Sequence, residues 1–180
     1  MIRAVTVWMM TATAVAFIPG TGGQSVKEDT TSSAESFIEK AAERQQVEIV
    51  LGQLAAERAG DAQVKQFGAQ MVEDHQKANK EVEQLASKEG VQLPMSLTGK
   101  HKDKKEKISQ LSGKEFDRAY MTYMLRDHAK DVKEFERGAH ALKNPQIRQW
   151  AEGTLPVLKQ HLQKARQIAS SIGIDRKPAR

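Results

Sequence analysis

Residues 61–90 read DAQVKQFGAQMVEDHQKANKEVEQLASKEG, and their periodicity is that of one long helix. The stretch opens on Asp61, a residue type whose carboxylate accepts from the free amides of a first turn. It closes on Gly90, the type that most readily takes up a left-handed cap. Between them Val64, Gly68, Met71, Val82 and Leu85 recur at steps of three and four, with charged residues on the opposite face. The pattern predicts a core-facing helix over about 62–88. His75 stands one step beyond Met71 on the same stripe, so it points inward.

Working outward from this helix, Gly60 reads as a stop before it, so the preceding helix must fold back as a tight antiparallel hairpin. That first helix is expected to begin after a Ser/Thr-rich linker, where Ser32 and Glu35 have the spacing of a capping box, and to run to Ala59. A second hairpin follows. Ser112 and Glu115 repeat the capping-box spacing and open a helix to about 141. Asn144 and Pro145 supply a cap and a first-turn proline for a last helix that runs to about 172, before Gly173. The stretch 91–111 between the hairpins is long enough to travel the length of a bundle. The reading is all-α: a four-helix bundle, ferritin-like, with a long crossover between helices 2 and 3. Aromatic content of 5%, with abundant Ala, Gln, Glu and Lys, leaves little material for strands.

The first 23 residues differ. Arg3 precedes an uncharged run from Ala4 to Ile18, followed by Pro19 and several glycines, the layout of a secretory signal peptide. The run falls short of the roughly 20 residues of a membrane-spanning helix. The organisation expected is a leader at 1–23, a linker at 24–32, the bundle at 33–173 and a basic tail at 174–180. With no cysteine there is neither a lipidated cysteine nor a disulfide nor a thiolate metal site. The formal charge of +5 is mildly basic, yet an exported chain without interleaved aromatics is a poor nucleic-acid binder. The expected location is periplasmic or secreted. A protein partner and a monomeric or dimeric state both stay open.

Chemistry gathers on the core face. On the third long helix His128 falls between Met124 and Val132. On the fourth, His161 falls between Leu158 and Ala165, and the first helix offers Glu48 among small residues such as Gly52 and Ala55. All four sit near mid-helix. One layer of the bundle is therefore expected to hold Glu48, His75, His128 and His161 as ligands of one transition-metal ion, with zinc, iron, manganese and copper all compatible. A di-iron centre would require Glu-x-x-His pairs, and Val72, Leu125 and Leu158 stand where those glutamates belong. Met71, Met121 and Met124 read as core packing or soft ligands, and Asp74 and Asp127 as surface residues. The lysine run from Lys100 to Lys107 reads as a solvated face of a short connecting helix or as an anion-binding patch, with His101 and His140 facing solvent. A weak internal repeat pairs MVEDHQKANKEVE at 71–83 with MLRDHAKDVKEFE at 124–136.

The phrases EIVLGQLAAERA, VKQFGAQMVEDHQKAN, LSGKEFDRAYMTYMLRDHAKDVKEFE and LPVLKQHLQKA resemble the bacterial family of domain of unknown function 4142, over about 37–168. Members are often described as outer-membrane or periplasmic proteins. The resemblance implies a ferritin-like bundle, and the four candidate ligands all fall in matching phrases. It implies no activity. The expected function is an exported metal-binding bundle serving metal handling or envelope stress. The alternatives are an envelope structural or interaction protein without metal, and a metal-dependent oxidoreductase.

Overall fold

The computed structural model describes residues 25–97 and 99–174, with side chains from Ser33 onward, and every regular element among them is helical. The expected leader, its cleavage site and the basic tail beyond Ile174 lie outside the described residues. Helix α1 runs over Ser25–Arg58. It begins earlier than the capping box at Ser32 and Glu35 predicts, so most of the expected linker is the first turns of a helix. Serine and threonine cost a helix only about half a kcal/mol each, which the surrounding Lys, Glu and Ala residues offset.

Helix α2 spans Ala62–Glu89 and both its ends are closed as its sequence predicts. Asp61 accepts from the amides of Gln63 at 2.7 Å and Val64 at 3.3 Å. Gly90 takes φ of +71°, and the Val91 amide reaches back to the Ala86 carbonyl at 2.9 Å. The crossover carries a short helix, α3, over Gly99–Ser109. Helix α4 runs over Gly113–Ala141, and here the expected capping box does not form, because the Ser112 side chain makes no cap hydrogen bond. Helix α5, Pro145–Ser171, starts on Asn144, whose side chain accepts from Gln146 at 3.0 Å and Ile147 at 3.2 Å.

Contacts at the ends establish the topology. Asn144 donates to Glu89 at 2.7 Å, so α5 begins beside the end of α2. Asp117, buried near the start of α4, accepts from the amides of Gly60 and Asp61, both at 3.0 Å, so α4 begins beside the end of α1. Helices α1 and α2 pair antiparallel, as do α4 and α5, with α1 also against α4 and α2 against α5. The crossover therefore travels the length of the bundle, and α3 lies along α1 and α4.

Helices α1 and α2 approach closely at Gly52 and Gly68. A Cβ at Gly52 would stand 2.7 Å from the Gly68 carbonyl oxygen, and one at Gly68 would stand 2.5 Å from the Ala55 Cβ. The small residues near Glu48 thus bring two backbones together and do not open space around the carboxylate. The apolar core falls into two parts. One holds Leu51, Phe67, Met71, Phe116, Tyr120 and Met124, the other Ile38, Val82, Phe135, Ile147 and Leu158. Each such side chain contributes about 1.5–3 kcal/mol on burial. Between the two parts, on every long helix, lies a layer of buried polar residues.

Candidate metal centre

His75 follows Met71 by one helical turn on α2, and His128 follows Met124 by one turn on α4. On α5 His161 lies between Leu158 and Ala165. All three are buried, with 4%, 0% and 2% of their surface exposed, so none depends on bulk water for its hydrogen bonds. Their rings form a nearly equilateral triangle, with centroids 5.8 Å apart for His75 and His128 and 5.4 Å apart for His75 and His161 and for His128 and His161. One nitrogen of each lies within 4.8 Å of the others.

The hydrogen bonds fix the tautomers. His75 Nδ1 meets the Gln45 side-chain oxygen at 2.6 Å, His128 Nδ1 the Met124 carbonyl at 3.1 Å, and His161 Nε2 the Asp74 carboxylate at 2.8 Å. Each partner is an acceptor, so each of these nitrogens carries the proton. The remaining three, His75 Nε2, His128 Nε2 and His161 Nδ1, are buried without any hydrogen-bond partner. Each is a lone pair in the interior, where an unmet polar atom costs about 1–3 kcal/mol. A ligating imidazole characteristically donates its other N–H to a carboxylate, carbonyl or amide oxygen, and all three rings here have that arrangement.

Electrostatics keep the lone pairs free. Burial pushes His75 well below the ordinary histidine range, with the neighbouring His128 and His161 adding to the shift. Burial, then His161, brings His128 down to about 3 against the pull of the Met124 carbonyl. His161 is lowered by burial, with Asp74 opposing. Three neutral imidazoles suit zinc, copper or iron and disfavour magnesium and calcium, which take oxygen ligands.

Glu48 does not join this group. It is fully buried on α1, yet its carboxyl faces Asp127 and Asp131 of α4. No N–H reaches either Glu48 oxygen, and burial followed by the charges of Asp127 and Asp131 raises its carboxyl well above the carboxylate range. Asp131 is pushed up to about 7 by burial and by Asp127, against Arg44, which pairs with it at 2.9 Å and also holds Glu134. The helix-one residue that meets the histidines is Gln45, three positions before Glu48. The same stripe carries both, and spacing alone does not say which one a neighbouring helix will face.

Other expectations change as well. Asp74 reaches His161 from the edge of α2, because α2 lies between α1 and α5 and its flank beside the core stripe faces α5. Asp127 faces Glu48 and is only half-exposed. His101 is buried, at 8% exposure, under α3, with the Tyr123 hydroxyl 3.5 Å from its Nδ1, whereas His140 is exposed as expected. Met71, Met121 and Met124 are fully buried in the apolar core.

A helical bundle with a long crossover, cut at mid-height by a buried layer in which three histidines converge, is the class that this fold and site define. The chain belongs to the family of domain of unknown function DUF4142, whose sequence profile matches residues 20–168. It is similar in structure to a Streptomyces coelicolor protein of the DUF305 family, described as a candidate secreted protein. The TM-score is 0.68 at 11% identity, over 81% of this chain and 98% of that one, which is a likeness of fold. No curated protein sequence matches the chain.

Proposed function

We propose that this protein is an exported metal-binding bundle in which His75, His128 and His161 hold one transition-metal ion, serving metal handling in the envelope or the response to envelope stress. The observation that carries the reading is the convergence of three buried, unpartnered imidazole nitrogens whose ring partners are all acceptors. A bundle whose histidines served packing alone would leave three lone pairs unmet, at a cost of several kcal/mol in a layer with apolar core on both sides. Export is supported by the leader-like start of the sequence and by the description of the DUF305 neighbour as a candidate secreted protein. No helix among the described residues is long and apolar enough to cross a membrane.

A bound ion would take three nitrogen ligands from this chain and leave further positions for water or an external ligand. Glu48 is not required. Its carboxyl faces Asp127 and Asp131 and lies outside the group of three converging imidazole nitrogens. Elemental analysis of protein purified without a metal-affinity tag tests the proposal. About one equivalent of a transition metal is expected in the wild type, and none in His75→Ala or His128→Ala variants that retain helical circular dichroism. Metal-free wild type that also gains no stability from added zinc, copper, iron or manganese would leave a structural or interaction protein as the reading. The same outcome removes the metal-dependent oxidoreductase.

A further inference from the structure

The lysine run forms α3, an 11-residue helix in which only His101 and Ile108 are buried. A groove lies on either side of it. The first, about 590 Å³ between α1, α3 and α4, is lined by Lys40, Arg44, Lys100, Lys130 and Arg137 against the acids Glu43 and Glu134. The second, about 490 Å³ between α3 and α4, is lined by Lys104, Lys107, Arg118 and Arg126 against Glu115. Along α4 the basic positions Arg118, Arg126, Lys130 and Arg137 fall on one helical face, so the two grooves form a single basic surface split by α3. Its excess of basic over acidic side chains is at least as large as the +5 of the whole chain, so the charge asymmetry is local. No salt bridge among the described residues engages Lys100, Lys104, Lys107, Arg126 or Arg137, whereas Arg44 and Lys130 are tied to Glu134.

This surface is also amphipathic. The first groove has Phe37 and Leu142 in its lining and the second Ile108 and Leu111, so the basic stems lie over apolar ground while the heads of Lys100, Lys104, Lys107, Arg126 and Arg137 are engaged in no salt bridge among the described residues. The segment 91–97 that leads into α3 carries Met95, whose surface is 100% exposed, although Leu93 and Leu97 on either side pack against the core. Met95 stands four residues before this basic helix, and its solvated side chain is available to enter an apolar interface.

We propose that the α3–α4 face docks on an anionic phospholipid surface, its lysines and arginines over headgroup phosphates and Met95 entering the interface. Charge complementarity and the exposed apolar residue both favour a lipid surface over a nucleic acid. A strand of nucleic acid would look for aromatic faces to stack on, and the exposed large hydrophobic residues among the described residues are Met95 and Val157. Docking of this kind needs no membrane-spanning helix, and it does not depend on the metal proposal.

Co-sedimentation with vesicles tests it, using phosphatidylcholine alone and phosphatidylcholine mixed with phosphatidylglycerol. Wild-type protein is compared with a Lys100→Glu/Lys104→Glu/Lys107→Glu variant and with Met95→Asp. Any contribution of the N-terminal segment is common to all three. Binding is expected to the anionic vesicles and not to phosphatidylcholine, to fall steeply by about 0.5 M NaCl, and to weaken at least about a hundredfold in the triple variant, since three headgroup contacts are lost. Met95→Asp, at a site with no packing to lose, is expected to weaken binding by about tenfold, in line with loss of a small buried apolar area. Equal binding to both vesicle types overturns the proposal. So does anionic binding unchanged in both variants, or equal affinity for duplex DNA at the same ionic strength.

Discussion

Glu48 and the histidines lie at the same height in the bundle but respond to pH in opposite directions, for the same reason. Burial disfavours charge, so it raises a carboxyl and lowers an imidazole. In the unfolded chain Glu48 loses its proton near its ordinary value of 4.5, whereas folded it keeps the proton well above that. Above pH 4.5 the folded state therefore binds the extra proton, and stability falls by about 1.4 kcal/mol per pH unit until the folded group ionises as well. A neutral amide carries no such cost and places an N–H donor beside the acids of α4. Glu48→Gln is accordingly expected to be close to neutral at pH 4.5 and to stabilise the protein by roughly 1–3 kcal/mol at pH 7, read by urea unfolding at the two values. The histidines act in reverse, since their depressed folded values cost stability as pH falls below about 6.5. Both variant and wild type carry them, so they cancel in the comparison. A Glu48→Gln protein destabilised at pH 7 and lacking the metal that wild type holds would return Glu48 to the ligand set.

At the scale of helices and turns, the features readable from sequence were those a single helix decides alone. Asp61, Gly90, Asn144 and Pro145 act on their own backbone, and each closes its helix as its residue type predicts. Ser32 and Ser112 show the limit of that reading. The first lies inside α1, and the second heads α4 without a side-chain cap. A capping motif is permissive, and the chain takes it up only where the helix has reason to start. Stripe positions placed all three histidines in the core, because a 3.6-residue period separates inside from outside. The partner a core residue meets depends on helix rotation and close approach, which no period encodes. Gln45, Asp74 and the buried His101 were missed or misplaced for that reason. Gly52 and Gly68 set one such approach, and they can be tested against a control. Gly68→Ala places a Cβ 2.5 Å from that of Ala55, where neither backbone can yield, whereas at Gly153 an added Cβ meets nothing within 4 Å. Alanine is worth about 1 kcal/mol over glycine inside a helix, and overpacking costs about 1–3 kcal/mol. Thermal unfolding is thus expected to show Gly153→Ala above wild type and Gly68→Ala below it. A Gly68→Ala protein as stable as Gly153→Ala would mean that the α1–α2 contact is looser than described.

For the molecule as a whole, the polar layer divides the apolar core into two, and the three histidines come from α2, α4 and α5. One ion held by all three would join both hairpins at mid-height, since α2 belongs to the first and α4 and α5 to the second. α1 would be linked through Gln45, which accepts from His75. An ion bound only by the folded state stabilises it by mass action, about 2.7 kcal/mol at a free concentration of a hundred times Kd. Metal added to stripped protein should therefore raise the unfolding midpoint in step with the logarithm of its concentration, and a chelator should reverse the rise. Within each hairpin the two helices meet along their length, whereas contact between the hairpins is sparser and runs through the two apolar parts on either side of the layer. Amide exchange should accordingly slow most on the helical turns around His75, His128 and His161 when metal binds, and least in the outer turns of each hairpin. In His161→Ala the ion loses its α5 ligand but keeps one from each hairpin, so a residual, weaker rise in midpoint is expected. A rise equal to that of wild type would place the ion elsewhere on the molecule.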